Sequence, residues 1–269
     1  MSLVVDTIED KASDVNDWLK DFVKKITTKE KGAEMQLAEG IGALAPGYLV
    51  GQKLIPLYTK SVLPSMFTDI VPRPTPEMAS KIKESEKFID FLKSEGYTLS
   101  PNELIRDNAF FSPAIKSTDN IKGKIGWGIR QMPNAPVLAH EYGHAKNNEL
   151  YRKLLGGRIG ANIFTIGGIT APANIVSPIL GAVSTGATVF GNDDLAMSTG
   201  LAGLGVSAPL VLEETLASAR GAHALNKLGM GGKFKAFLGV PSYAMRATIP
   251  ALPIFGKKLV EDIVENSKK

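Results

Sequence analysis

Apolar positions recur at helical spacing near the start of the chain. Val4, Ile8, Val15, Trp18, Leu19, Phe22, Val23 and Ile26 share one face between residues 3 and 26, with charged residues opposite. The pattern predicts an amphipathic helix, either packed on a core or lying at a membrane interface. Residues 40–75 mix Gly and Pro with short apolar runs and predict no single element. A second helix is marked at both ends: Thr75 as N-cap, Pro76 in the first turn, Met78, Ile82, Phe88, Ile89 and Leu92 along one side, and Gly96 as the stop. Between Lys122 and Met132, Ile125, Trp127 and Ile129 alternate with glycines and Arg130, which is the period of a strand. The turn Met132-Pro133-Asn134 then opens a helix that runs through Leu154 and stops at Gly156 and Gly157.

Two uncharged stretches follow. Neither Ile159–Asn192 nor Leu195–Leu212 holds a charged residue, and only Asp193 and Asp194 separate them. A bilayer core takes about 20 apolar residues to cross, so the first stretch is ample and the second just sufficient. Both are rich in Gly, Ala, Ser and Thr, which suits close helix packing in lipid, where Pro172, Pro178 and Pro209 are also tolerated. An apolar helical hairpin over 159–212 is predicted, transmembrane or, on the alternative reading, the buried core of a soluble protein. The chain divides on this reading into an N-terminal helical and irregular region, 1–75, and a domain over 76–269 that includes the hairpin.

Composition narrows the chemistry. The chain has no cysteine, so disulfides, iron–sulfur clusters and thiolate zinc sites are excluded, and any metal must be held by His, Asp or Glu. A net charge of +4 gives no argument for nucleic acid as a partner. Its placement says more: from Thr215 to Lys258 there is no acidic residue, while Arg220, Lys227, Lys233, Lys235, Arg246, Lys257 and Lys258 are basic. Interleaved with Ala236–Val240 and Ile249–Phe255, these read as a surface for anionic lipid or as the basic rim of a soluble domain. Asp6, Glu9 and Asp10 stand where a secretory signal needs an apolar run, so export is not expected.

The chemical signal is the pentapeptide His140-Glu141-Tyr142-Gly143-His144, an HExxH sequence just inside a predicted helix. Residues four apart lie one turn above each other, so both imidazoles can reach one ion, and Glu141 projects beside it as a base for a metal-activated water. In zincin-type peptidases, whose motif this pentapeptide resembles, a strand before the helix lines the cleft and pairs with extended substrate, and the same is expected here. A third ligand is required to leave tetrahedral zinc one open position. Asn147 and Leu150 stand where the extended HExxHxxGxxH motif needs Gly and His, so the ligand must come from further along: His223, or the pair Glu213 and Glu214.

The stretch from Glu214 through Ala217, Ser218 and Gly221 to Ala222 resembles the E-x-x-A-D-x-x-G-A motif of the HtpX-like and CAAX-prenyl-protease family of membrane zinc peptidases. Asn147, three residues past the HExxH, and an intervening pair of apolar segments match the same family. The resemblance covers about residues 120–230. It implies that His140, His144 and Glu214 are the metal ligands, with Glu213 the rival to Glu214, that Glu141 is the catalytic base, and that the cofactor is Zn2+. The family's Asp, which orients a zinc-binding histidine, is replaced by Ser218, whose hydroxyl can take the imidazole N–H without a charge. For the oxyanion, His223, Arg220 and Tyr243 are candidates.

Ligands to one ion must lie on one side of a membrane, and a two-helix hairpin returns the chain to the side it left. Lys153, Arg158 and Arg220 flank the hairpin's open ends and its turn is acidic, which places the active site towards the cytoplasm. The expectation is therefore a mainly α (α+β) protein, a zincin-like metallopeptidase of gluzincin type with a small sheet beside the active-site helix. It would be a membrane-associated metalloendopeptidase acting on a protein or peptide substrate, with membrane lipid as its other partner. Two alternatives remain open: a non-catalytic membrane-active or structural protein retaining the fold, and a soluble peptidase whose hairpin is core.

Overall fold

The helix bounded by Thr75 and Gly96 forms where its end signals place it. The computed structural model describes residues 46–47, 49–69, 73, 75–102, 109–113, 122–128, 131–155 and 172–266. The amphipathic helix expected over residues 3–26 and the first part of the apolar hairpin, 159–171, lie outside them. The described elements in chain order are α1 (Ile55–Met66), β1 (Phe67–Asp69), α2 (Pro76–Ser94), β2 (Tyr97–Asn102), β3 (Ala109–Pro113), β4 (Gly123–Gly128), β5 (Gln131–Pro133), α3 (Ala135–Leu155), α4 (Ser177–Val189), α5 (Asp193–Lys227), α6 (Val240–Thr248) and α7 (Leu252–Asn266). The architecture is mainly helical with a small three-stranded sheet.

At the start of α2 the Thr75 hydroxyl accepts the Met78 backbone N–H at 3.3 Å, and beyond its end Gly96 takes φ +89°. That left-handed turn needs a residue without Cβ, which is why the helix stops there. Two compact units are built from the described parts of separate stretches of chain. One draws on Tyr58–Asn174 and Ser207–Ala244, the other on Met1–Leu57, Ile175–Val206 and Met245–Lys269.

In the first unit β2, β4 and β3 form the sheet in that order, β4 lying parallel to β2 and antiparallel to β3. Strands β1 and β5 pair separately, and the Asn134 N–H that follows bonds to the Met66 carbonyl at 2.9 Å, fixing where α3 begins. The core joins Phe88 and Leu92 of α2, Ile125 and Trp127 of β4, Leu138 and Tyr142 of α3, and Leu225 of α5. Burying each large apolar side chain is worth about 1.5–3 kcal/mol. Tyr142 is the hub, with edge-on contacts to Phe88, Phe91 and Tyr97 at 6.3, 5.3 and 5.9 Å. Above it, Lys146 Nζ lies 3.2 Å from both Glu95 and Glu149, and Glu149 accepts the Tyr97 hydroxyl at 2.7 Å. These bonds tie the end of α2 and strand β2 to α3.

In the second unit α4 and the first part of α5 form a helical hairpin, as the two uncharged stretches predicted for this portion. Its packing uses small residues. Gly181 and Gly203 lie against Pro250, where a Cβ added at Gly203 would come within 2.6 Å of the Pro250 Cβ. The Ser184 hydroxyl donates to the Ala196 carbonyl across the hairpin at 2.8 Å, and Thr185, Thr188 and Thr199 donate to carbonyls four residues back. Pro250, Ala251 and Pro253 are buried, so the apolar run after Arg246 is packing material at these positions rather than an open surface. Lys257 bonds both oxygens of Asp193 at 2.6 and 2.8 Å, at the hairpin's turn.

Candidate metal centre

The site begins with helix α3. Most of its first four turns is buried, and His140 and His144 lie on the stripe that also carries Asn147 and Tyr151, at spacings of four, three and four residues. One imidazole therefore stands above the other, with ring centroids 4.7 Å apart and Nε2 atoms 3.1 Å apart. Helix α5 crosses this stripe at very close range. A Cβ on Gly143 would lie 1.9 Å from the Ala217 carbonyl oxygen, and one on Gly221 would lie 2.4 Å from that of Ala139. No side chain fits at either position. The two backbones approach closely enough for the short Glu214 side chain to reach both histidines.

Glu214 Oε2 lies 3.0 Å from His140 Nε2 and 3.6 Å from His144 Nε2. His140, His144 and Glu214 thus present one donor each within 4.8 Å of one another, a group able to hold a metal ion. Two ligands at 2.0–2.1 Å from a tetrahedral ion are about 3.3 Å apart, so the separations 3.0, 3.1 and 3.6 Å suit three corners of such a tetrahedron.

Each imidazole is gripped from behind. Ser218, one turn after Glu214, sets its Oγ 2.9 Å from His140 Nδ1. Glu213 sets Oε1 2.9 Å from His144 Nδ1, accepts the Tyr151 hydroxyl on Oε2 at 2.8 Å, and accepts the Asn147 side-chain amide on its backbone carbonyl at 3.4 Å. Between the two adjacent carboxylates the helix phase decides: Glu214 faces both Nε2 atoms and Glu213 the back of His144.

Glu141 is buried at the same crossing. Burial pushes its carboxyl above the usual range, against the pull of His144 and His140 and of the Phe111 backbone amide. Burial works the other way on His144, yet the hydrogen bonds to Glu213 and Glu214 and the charge of Glu141 outweigh it and hold its pKa well above the ordinary value.

The single strand expected between Lys122 and Met132 forms as two: β4, which among the described strands lies between β2 and β3 with both edges taken, and β5, next to α3, which pairs with β1 alone. Of the two outer strands, β2 packs on α2 and the other is β3, which packs on α3. Its short, Pro-ended sequence carries little alternation, which is why the pattern did not reveal it. Helix phase also separates His223 from the group: it follows Glu214 by nine residues, two and a half turns, and is exposed. Arg220 lies near Tyr151 and acts on its hydroxyl through charge. Tyr243 lies half-buried on α6. Tyr151 was missed at the level of sequence, although its place seven residues after His144, on the same face, was legible.

Compared with known proteins, the chain matches no family model, no curated protein and no solved structure.

Proposed function

We propose that the chain is a zinc-dependent metallopeptidase of zincin-like, gluzincin type, as its likeness to the HtpX-like and CAAX-prenyl-protease family implies. The reading is carried by one observation: two imidazoles from one helix and a carboxylate some seventy residues later converge at tetrahedral spacing with a second carboxyl group, Glu141, beside them. His140, His144 and Glu214 are the residues that would hold the ion. All three are borderline or hard donors with no thiolate among them, a set that suits Zn2+ in a catalytic site. Zinc in such a site supplies a Lewis acid that polarises a carbonyl and activates water near neutral pH.

The chain's own residues do the rest. Glu141 accepts a proton from the attacking water and delivers it to the leaving amine. Strand β3 offers an extended peptide a backbone to pair with, beside the helix that carries Glu141.

A membrane location is supported by α5, which is long and apolar enough to cross a bilayer, and by exposed Ile175, Ile179, Phe190, Leu195, Met197 and Leu201 around the hairpin. The proposed orientation, with the site towards the cytoplasm, rests on charge alone. Lys257 cancels Asp193 at the turn, so the remaining asymmetry comes from Asp194 and the basic residues at the open ends.

The same exposed apolar surface favours a second reading, a membrane-active protein that keeps the metal site without turnover. One experiment decides between them. Purified protein should contain one zinc per chain and cleave an unstructured protein substrate, whereas Glu141→Gln should retain the zinc and lose at least about 100-fold in kcat, the lower range for a general acid–base group. Equal cleavage by the variant would remove Glu141 from the mechanism, and a zinc-loaded wild type with no activity on any peptide would favour the second reading.

A further inference from the structure

Neighbouring positions on a helix point about 100° apart, so Glu213 and Glu214 cannot serve one ion in the same way. Glu214 is accounted for by the Nε2 atoms. Glu213 is as deeply buried, and both of its oxygens are engaged away from the ion position. Oε1 meets His144 Nδ1 at 2.9 Å and Oε2 holds the Tyr151 hydroxyl at 2.8 Å. The arrangement differs in kind from the one behind His140. A serine hydroxyl both donates and accepts, so Ser218 is compatible with either tautomer of that ring. An ionised carboxylate only accepts, so a hydrogen bond to Glu213 requires the proton on Nδ1 and leaves the Nε2 lone pair for a cation.

We propose that Glu213, clamped by Tyr151, is the positioning residue of the metal centre: it selects the metal-binding tautomer of His144 and fixes the ring's direction. The proposal rests on the metal-site reading above. Tyr151 contributes by occupying Oε2, which keeps the carboxylate from turning towards the ion and competing with Glu214. It stands on the same stripe of α3 as His144, so one rigid helix carries both the ligand and the residue that braces its support. The negative charge behind His144 also strengthens that imidazole as a donor, something the neutral Ser218 does not do for His140.

The test measures binding of Zn2+ to the full chain by competition with a chromophoric chelator, and the visible spectrum of the Co2+-loaded protein, at one fixed pH. Glu213→Gln keeps the size of the side chain and Tyr151→Phe removes a single hydroxyl, and the melting midpoint of the metal-free proteins checks that both are folded. Glu213→Gln and Glu213→Ala should each bind one ion about 10- to 100-fold more weakly, the range for a lost outer partner, with an altered Co2+ spectrum. Tyr151→Phe should shift both readouts in the same direction by less, and Glu213→Asp should recover part of the loss. Unchanged affinity in both Glu213 variants, with binding abolished in His140→Ala, would overturn the positioning role and leave the metal site standing. Loss of all stoichiometric binding in Glu213→Gln, equal to that in Glu214→Ala, would also overturn it, because Glu213 would then be a ligand. A wild-type protein that binds neither ion would remove the metal site itself.

Discussion

The two units of this protein are packed on opposite principles. The one that carries the histidines buries large side chains: Phe88, Leu92, Ile125 and Leu138 are fully enclosed, and its polar groups are drawn into an ordered network around Lys146. The hairpin unit buries mostly small ones, Gly181, Ser184, Ala187, Ala196, Gly200 and Gly203, with Ile55 and Val260 beside them, and leaves many of its large ones exposed. Phe190 is 88% exposed and Phe255 64%. In water the first arrangement gains free energy from burial and the second forgoes it. In lipid the apolar side chains have nothing to gain by hiding, and small residues let helices approach. The membrane proposal rests on this contrast, which is one of degree, since the first unit also exposes Leu154, Leu212 and Phe234.

The contrast can be broken where backbones touch. Gly143→Ala places a methyl group against the Ala217 carbonyl, and neither helix can yield by a rotamer change. The expected result is loss of stoichiometric metal and a destabilisation at or beyond the 1–3 kcal/mol range of overpacked cores, read by metal analysis and thermal melting. Gly205→Ala on α5, with no neighbour within 4 Å of its Cβ, should leave the metal content unchanged and raise the melting midpoint slightly, since a helical Gly costs about 1 kcal/mol relative to Ala. If Gly143→Ala behaves like Gly205→Ala, the close crossing described for α3 and α5 is not what assembles the site.

The aromatic residues carry the same contrast. Phe88→Ala should cost about 3–5 kcal/mol, as for any large buried ring. Phe190→Ala should change the melting midpoint little, because an exposed side chain away from such features contributes within about 0.5 kcal/mol. It should instead reduce partition onto phospholipid vesicles in a flotation assay. Equal flotation of Phe190→Ala and wild type, repeated with Phe255→Ala, would argue against a lipid-facing hairpin.

The effect of pH sharpens the description of the first unit. His144 has a raised pKa in the metal-free protein. The stabilisation from its proton is therefore complete below the unfolded value of about 6.5 and is lost as pH climbs through the higher folded value. A dication must displace that proton, so zinc affinity should rise with pH across the same window, by up to about tenfold per pH unit for each proton released. Competition titrations from pH 6 upwards measure it, and an affinity independent of pH would show that no proton occupies the site. The smallest effect is expected at the hairpin's turn, where Lys257→Ala removes the pair with Asp193. An exposed partner limits the loss to under about 1 kcal/mol, screened further by salt.

Much of this protein was determined by its sequence alone, and the reason is that those features are local. The ends of α2 follow from Thr75, Pro76 and Gly96; the pairing of His140 with His144 follows from a spacing of one turn; the break between the apolar helices follows from two aspartates between uncharged runs, although the turn itself falls at Phe190–Asn192 and the aspartates open α5. Each depends on residues within a few positions of each other. Tertiary structure decided the rest. Only the crossing of α3 and α5 at Gly143 and Gly221 sets the helix phase that turns Glu214 towards the imidazoles and Glu213 behind them. Only strand order makes β4 central and gives β3 an outer place. Only the packing of Pro250 on the hairpin glycines turns an apolar stretch after Arg246 into part of a core. These outcomes depend on contacts between residues far apart in the chain, which no local period encodes.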